Sequence, residues 1–462
     1  MTVFGEATLT ELRQGLRGTL LARDDPGYEE ARRVWNGDID RHPALVVRCA
    51  GTADVIVALR FARGAGLPVA VRGGGHNVAG FGTIDDGIVL DLSPMRGIRV
   101  DPRTRTARAE AGVLWGELDR ETQAFGLATT GGMVTTTGIA GFTLGGGIGW
   151  LMRAHGLTVD NLVGADLVTA DGQLVHAESE PGLLWALRGG GGNFGVVTSF
   201  EYTLHPVGPI VYGGALFHPA DRAGELLRFY RDWVATTPDE LTTLVAVLTA
   251  PPEPFVPPDL VGTPMIAVAC CHTGPEEDAA AALKPLRDFA TPAIDLLGQV
   301  PYVVLQGMFD NSAPRGNHSY WKTEYLDALT DAAVDTIVEH CAELPGLSPF
   351  STVHLHHLGG AVAEANPSSA AFAHRRHQFV LNIIGQWTAA EARQPHVDWV
   401  GTTWQSLRAH TAKAPYLNFL GAEGPDRVRA AYGAETYQRL ADLKRRYDPE
   451  NTFRHNQNIP PA

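Results

Sequence analysis

The segment Arg72-Gly73-Gly74-Gly75-His76-Asn77, set between Val69-Ala70-Val71 and Ile88-Val89-Leu90-Asp91-Leu92, constrains this chain more than any other. Three consecutive glycines between two strands leave backbone N–H groups with no side chains in the way, and the imidazole of His76 stands beside them. Such a floor admits an anionic group such as a phosphate. A tight hairpin ending in a surface histidine suits the isolated segment equally well.

Around this loop the chain reads as short strands mixed with helices. Arg41–Cys49 reads as a strand, and Thr52-Ala53-Asp54 opens a helix through Ile56, Leu59 and Phe61 that Gly64 and Gly66 end. Ile98–Asp101 and Thr106–Glu110 alternate like a hairpin, Leu114–Phe125 reads as a helix, and Leu162–Thr169 pairs with Leu174–Ala177 around Asp171-Gly172. The character changes near Pro206–Pro209. Beyond it, helices expected at 223–235, 279–289 and 326–343 alternate with strands at 242–248, 265–270, 352–358 and 378–384, a second α+β lobe joined by loops at 251–258 and 314–317.

Composition removes several classes of function. A chain of 462 residues with 44% apolar content can bury two or three substantial cores. A net charge of −14 argues against a nucleic-acid partner, which needs a concentrated cationic face. No stretch is long and apolar enough for a membrane span, and Met1–Leu12 lacks the basic and apolar regions of a secretory signal. Four cysteines, two of them adjacent (Cys270 and Cys271), argue against a disulfide framework, so a reducing, cytoplasmic setting is expected.

Two further glycine runs need separate treatment. Gly190-x-Gly192-x-x-Gly195 has the spacing of a dinucleotide fingerprint, yet it follows a helix and opens a strand, the reverse of the required order. A Rossmann site is therefore rejected. Gly138-Ile-Ala-Gly-Phe-Thr-Leu-Gly-Gly-Gly-Ile-Gly149 joins an ordered set with the His76 loop, Asp160-Asn161-Leu162, Thr169-Ala-Asp-Gly172, Trp185–Thr198 and the terminal Asn456-Gln-Asn-Ile-Pro460. That set, from about residue 40 to the end, resembles the berberine-bridge-enzyme-like FAD-linked oxidases of the vanillyl-alcohol-oxidase (PCMH-type) superfamily, especially the bacterial 6-hydroxynicotine-oxidase-like branch.

The resemblance implies an α+β fold: a PCMH-type two-lobed FAD-binding domain over residues 1–206, a substrate domain with an antiparallel sheet over 207–410, and a return to the first domain over 411–462. It implies FAD bonded covalently through His76. Val134 stands where many relatives carry a second, cysteinyl link in the motif Gly132-Met-Val-Thr-Thr-Thr-Gly138, so a single link is expected. Arg72, Gly73, Gly74, Gly75, His76 and Asn77 would wrap the pyrophosphate; Gly132, Val134, Thr135, Thr137, Gly138 and Gly141 would line the ring and phosphate side. Val196 and Val197 would meet the adenine portion, and Tyr416, Asn418 and Asn456 would close the far side.

The catalytic expectations are three. Thr137 falls where the family tunes oxygen access, and Tyr416 matches a tyrosine that several members use as base, although a phenol ionises near pH ~10 and needs help near neutrality. The strand lysine of plant members is replaced here, at Val380 or Asn382. On the strand 352–358, His354 and His356 share one face, and His356 occupies a position where relatives often carry a carboxylate, so it is expected to contact substrate or assist the base. A metal site from His354, His356 and His374 or His377 lacks supporting carboxylate or cysteine spacing, so none is expected. Trp150 and Trp387 are candidate flat walls for a ring-bearing substrate, with core packing as the equal alternative.

The implied function is hydride transfer from a C–OH or C–N centre of a small molecule, a biosynthetic intermediate of secondary metabolism by analogy, to FAD reoxidised by O2. A carbohydrate oxidase on the same scaffold, or a flavoprotein with a non-redox cyclisation or binding role, are the alternatives. An NAD(P)H-dependent reductase would leave His76 unexplained. Oligomeric state is not readable from the sequence.

Overall fold

The computed structural model of the protein describes residues 5–462; the N-terminal reading at Met1–Phe4 lies outside them. The chain builds a mixed α+β architecture around three main sheets. In the first, four short strands run in the order Thr19–Ala22, Leu45–Arg48, Ile88–Asp91, Val69–Arg72, antiparallel at the outer pair and parallel thereafter. Parallel pairing needs a crossover, and the helix Thr52–Gly64 supplies it, burying Val55, Ala58, Leu59 and Ala62 at helical spacing. Asp54, expected as part of this helix's cap, instead accepts from the amides of Arg17, Gly18 and Ala50, which fastens the edge strand to the helix start.

The second sheet is antiparallel, in the order Ile98–Asp101, Thr106–Glu110, Val196–Thr203, Leu162–Val168, Leu174–His176. One continuous core joins both sheets to C-terminal residues Leu417, Leu420, Tyr432, Leu440, Phe453 and Ile459. The last segment is tied by Asn193, whose side chain accepts from the Ile459 amide and donates to the Gln457 carbonyl. Lys444, fully buried and paired with Asp448, donates to the Asn193 carbonyl.

The third sheet has eight antiparallel strands, in the order Ile294–Asp295, Ile210–Pro219, Pro264–His272, Leu241–Thr249, Thr352–His357, Phe379–Trp387, His318–Leu326, with Gly298–Pro301 also on Ile210–Pro219. Side chains alternate between its faces. Val245, Val247, Ile266, Val268, Leu355 and Ile383 pack beneath the helices Ala223–Val234, Glu276–Phe289, Asp331–Cys341 and Arg393–Leu407. The opposite face carries none of these four helices; the short helix Tyr302–Gln306 packs on part of it through Tyr302 and Leu305, and the rest roofs a cavity. Four strands of this sheet escape sequence reading: the short Ile294–Asp295 and Gly298–Pro301, and the long Ile210–Pro219, whose apolar period Gly213 and Gly214 interrupt, and His318–Leu326. The last displaces the start of the expected 326–343 helix to Asp331, where the Thr330 hydroxyl accepts from the Ala333 amide.

All four cysteines are buried and free. Among the described residues no helix is long and apolar enough to cross a membrane.

Candidate active site

A cavity of about 760 Å³ runs from the 72–77 loop to the face of the large sheet that carries Ala215, Ala246 and Ala267. Gly73, Gly74, Gly75, His76 and Asn77 line one end. Two glycine loops meet there: a Cβ on Gly74 would lie 2.4 Å from the Gly138 amide nitrogen, and one on Gly138 would lie 2.3 Å from that of Gly74. No other residue tolerates that approach, and Gly75 adds a left-handed turn at φ +72°. Among the described residues, the amides of Gly74, Gly75, His76 and Asn77 find no acceptor within the chain.

Arg72 behaves differently from its expectation. It lines the cavity, but its guanidinium pairs with Asp91 at 3.0 Å and donates to the carbonyls of Ala31 and Arg33, so its charge braces the base of the loop. A charge already spent on a buried carboxylate is not available to a phosphate.

His76 stacks on Trp35 with ring centroids 5.1 Å apart, and its Nε2 lies 3.0 Å from Thr136 Oγ1. Burial, with the nearby positive charge of Arg315, pushes its pKa down to about 4. The ring is therefore neutral at physiological pH, the nucleophilic form of an imidazole. Neither Trp35 nor Thr136 was singled out from sequence; Thr136 sits inside the 132–138 motif, but which of its three threonines faces His76 is set by the turn, not by residue type.

The remaining cofactor candidates divide. Gly132, Val134, Thr137, Gly138, Gly141, Val197, Asn418 and Asn456 all line the cavity. The Asn456 amide donates to the carbonyls of Gly192 and Phe453, leaving its buried Oδ1 without a partner. Three candidates do not line it. Thr135 turns away, its amide and hydroxyl both on Asp310 at 2.7 and 2.5 Å. Val196 points into the core, because neighbouring residues of a strand face opposite sides and Val197 takes the cavity side. Tyr416 is fully buried, and its phenol oxygen accepts from the amides of Gly147 and Ile148 and from Asn418.

That environment corrects the expectation of a tyrosine base. Burial raises the Tyr416 pKa to about 12 against the pull of those donors, and its ring does not reach the cavity wall. Tyr416 is a positioning residue: with Asn418, which also donates to the Phe142 carbonyl, it holds the glycine run 145–149 in place. Gly145 packs so closely on Asn418 that a Cβ would overlap its Oδ1.

At the other end of the cavity, His354 and His356 project from the strand Thr352–His357, flanked by Asn382 of the neighbouring strand, the register partner of His354. Both nitrogens of His356 and Oδ1 of Asn382 are buried without a hydrogen-bond partner. Burial lowers the His354 pKa to about 4 and that of His356 well below the ordinary value, with His354 adding to the effect on His356. Two neutral imidazoles thus face an open space, with ring nitrogens free to hydrogen-bond a group that is not part of the chain. His374 and His377 lie elsewhere, bonded to each other and stacked on Tyr325, and among the described residues no group of three metal-ligating side chains converges.

The aromatic walls are not the expected ones. Trp150 is buried behind Phe309, and Trp387 stacks on His396; neither lines the cavity. Trp35, Trp321, Phe309 and Phe419 take that place. Trp321 went unnoticed because its strand did.

The donors and the cradle suit FAD: free amides and side-chain-free glycines at one end for phosphate, a neutral imidazole beside them, and the unpartnered Asn456 oxygen along the way. Comparison with known proteins agrees. A profile described as FAD binding domain matches residues 43–178, and one described as berberine and berberine like matches residues 415–460. An FAD-linked oxidoreductase of Dictyostelium discoideum is 32% identical over 464 residues, covering 98% of this chain and 97% of its own. The (R)-6-hydroxynicotine oxidase of Paenarthrobacter nicotinovorans is 32% identical over 461 residues, covering 96% and 97%. The crystal structure of 6-hydroxy-D-nicotine oxidase from Arthrobacter nicotinovorans superposes with a TM-score of 0.88 at 28% identity, covering 97% of this chain and 98% of that one. The chain belongs to the berberine-bridge-enzyme-like family of FAD-linked oxidoreductases, in which it is an FAD-dependent enzyme of PCMH-type fold.

Proposed function

We propose that the protein is an oxidase carrying FAD on a single covalent link at His76 Nδ1, acting on a C–OH or C–N centre of a small molecule. When bound, FAD accepts the hydride and passes the electron pair to O2, giving hydrogen peroxide. The observation that carries this reading is the His76 ring: Nε2 is occupied by Thr136, Nδ1 has no partner in the chain, and the imidazole is neutral. No cysteine is among the described residues lining the cavity, and Val134, at the motif position expected for a second link, is one of them, which supports a single link.

The chain's own residues then divide the work. The 73–77 amides hold phosphate, Arg72 and Asp91 brace the loop, and Asn456 and Val197 border the far end. Thr137, on the cavity wall, controls the space left for O2. His356, assisted by His354, accepts the substrate's hydroxyl or amine proton as its hydride leaves. In this reading residues 1–206 and 411–462 form the cofactor domain and 207–410 the substrate domain, in a cytoplasmic protein. Two measurements test it together: peroxide formation coupled to oxygen uptake, and flavin remaining on the protein after acid precipitation.

A further inference from the structure

The large sheet presents a face of unusual composition to the cavity. Ala215, Ala246, Ala267 and Ala269, on three adjacent strands, face it with Phe217 and Leu244. Register places these side chains together: Ala215 opposite Ala269, Phe217 opposite Ala267, and Ala267 opposite Ala246. Four small side chains in a block leave an alcove where larger residues would have filled the sheet surface.

Next to the alcove the polar atoms are few and local. Those left without a partner in the chain, among the described residues, are the His354 and His356 rings, Asn382 Oδ1, Trp321 Nε1 and Thr249 Oγ1, with the exposed Asn311; Thr352, Ser312 and Gln386 also line this half but already donate to the carbonyls of Val247, Phe309 and Ser312. Aromatic rings run past them in sequence: Trp321 to Phe419 at 5.7 Å, Phe419 to His356 at 5.6 Å, His356 to His354 at 5.9 Å, His354 to Phe309 at 6.1 Å. Among the described residues lining the substrate half of the cavity, Glu253 is the one side chain of fixed charge, on the loop 250–263. Among these lining residues no arginine or lysine waits for a carboxylate, and with Thr352, Ser312 and Gln386 already donating within the chain the polar atoms left are few for the many hydroxyls of a sugar.

We propose that the substrate is an uncharged, flat compound of at least two fused rings with one hydroxyl on the carbon to be oxidised. Its hydroxyl lies at His354, His356 and Asn382, and its hydrocarbon body lies in the alanine alcove between ring faces. This rests on the oxidase reading above and names the substrate class for the same site. The step balances: the carbinol C–H leaves as hydride to FAD, the O–H proton goes to the His356 imidazole, the C–O bond becomes C=O, and O2 takes up the electron pair with two protons as hydrogen peroxide.

The experiment titrates holoenzyme at pH 7 with 2-naphthol, 2-naphthoate, 2-naphthylmethylamine and cellobiose, following the shift of the flavin absorption band. The expected result is binding of 2-naphthol at least about tenfold tighter than either charged analogue, with no saturation by cellobiose. Equal or tighter binding of the carboxylate, the amine or the sugar overturns the proposal. Ala267→Phe is expected to weaken 2-naphthol at least about tenfold while phenol changes less than about threefold; Ala246→Val, a milder filling of the same alcove, covers the case in which the first variant does not fold. Unchanged 2-naphthol affinity in the folded variants also overturns it. Failure of the oxidase reading shows separately: dithionite-reduced enzyme would then not return to the oxidised spectrum with peroxide in air, whatever ligand it prefers.

Discussion

Nε2 of His76 and Oγ1 of Thr136 lie 3.0 Å apart, across the two loops that meet at Gly74 and Gly138. The contact fixes the plane of the imidazole and, with the Trp35 stack, leaves Nδ1 without a partner among the described residues. Thr136→Val removes the bond while keeping the shape. The account expects flavin attachment about fivefold slower, on the basis of about 1 kcal/mol for one hydrogen bond, measured as the covalent fraction against time after FAD is added to apoprotein.

Gly74→Ala tests the cradle. An added Cβ would press on the Gly138 amide at 2.4 Å, backbone against backbone, so neither loop can yield cheaply. The variant is expected to lose most bound FAD, read from the 450 nm to 280 nm absorbance ratio with a flavin-free control. Gly64→Ala is the contrast: nothing lies within 4 Å of its Cβ, it does not line the cavity, and FAD content should hold.

Tyr416→Phe separates positioning from acid–base chemistry. The phenol oxygen accepts from two amides and Asn418 in a fully buried setting, so its loss leaves those donors unpaired and should cost about 1–3 kcal/mol of stability. Substrate-driven flavin reduction should fall by less than about tenfold. A base would be missed by about 10²–10⁴-fold, which is the loss expected for His356→Leu in the same anaerobic stopped-flow assay.

The pH dependence follows from the buried imidazoles. His76 and His354 hold folded pKa values of about 4, against about 6.5 in an unfolded chain, so between those limits the unfolded state binds more protons. Their contribution to stability is full above about pH 6.5 and is lost as pH falls toward 4. The melting temperature of wild type is expected to drop between pH 7 and pH 5 more steeply than that of His354→Leu, measured by thermal unfolding in constant ionic strength. Equal slopes would show that His354 is not held neutral.

What the sequence made legible was the part written in glycine and in order. The 73–75 run, Gly138, and the terminal Asn456 each need a specific residue at a specific backbone, and a chain can be read for that. Strand period likewise put His354 and His356 on one face before any coordinates. What it hid depended on register and direction. Val196 and Val197 read alike in the sequence although a pleat separates them, and nothing next to Thr135 signals that Asp310, distant in sequence, turns it away. Trp321 and the alanine alcove lie on strands whose neighbours are assigned only by long-range pairing, so no local pattern could gather them into a wall.

The most direct test of the account is the mass of the acid-denatured protein, followed by peptide mapping. The account predicts an increase corresponding to one FAD, carried by the peptide that contains His76, and complete loss of that increase in His76→Ala. A protein of unmodified mass after expression with ample riboflavin, or flavin found on any other residue, would contradict it.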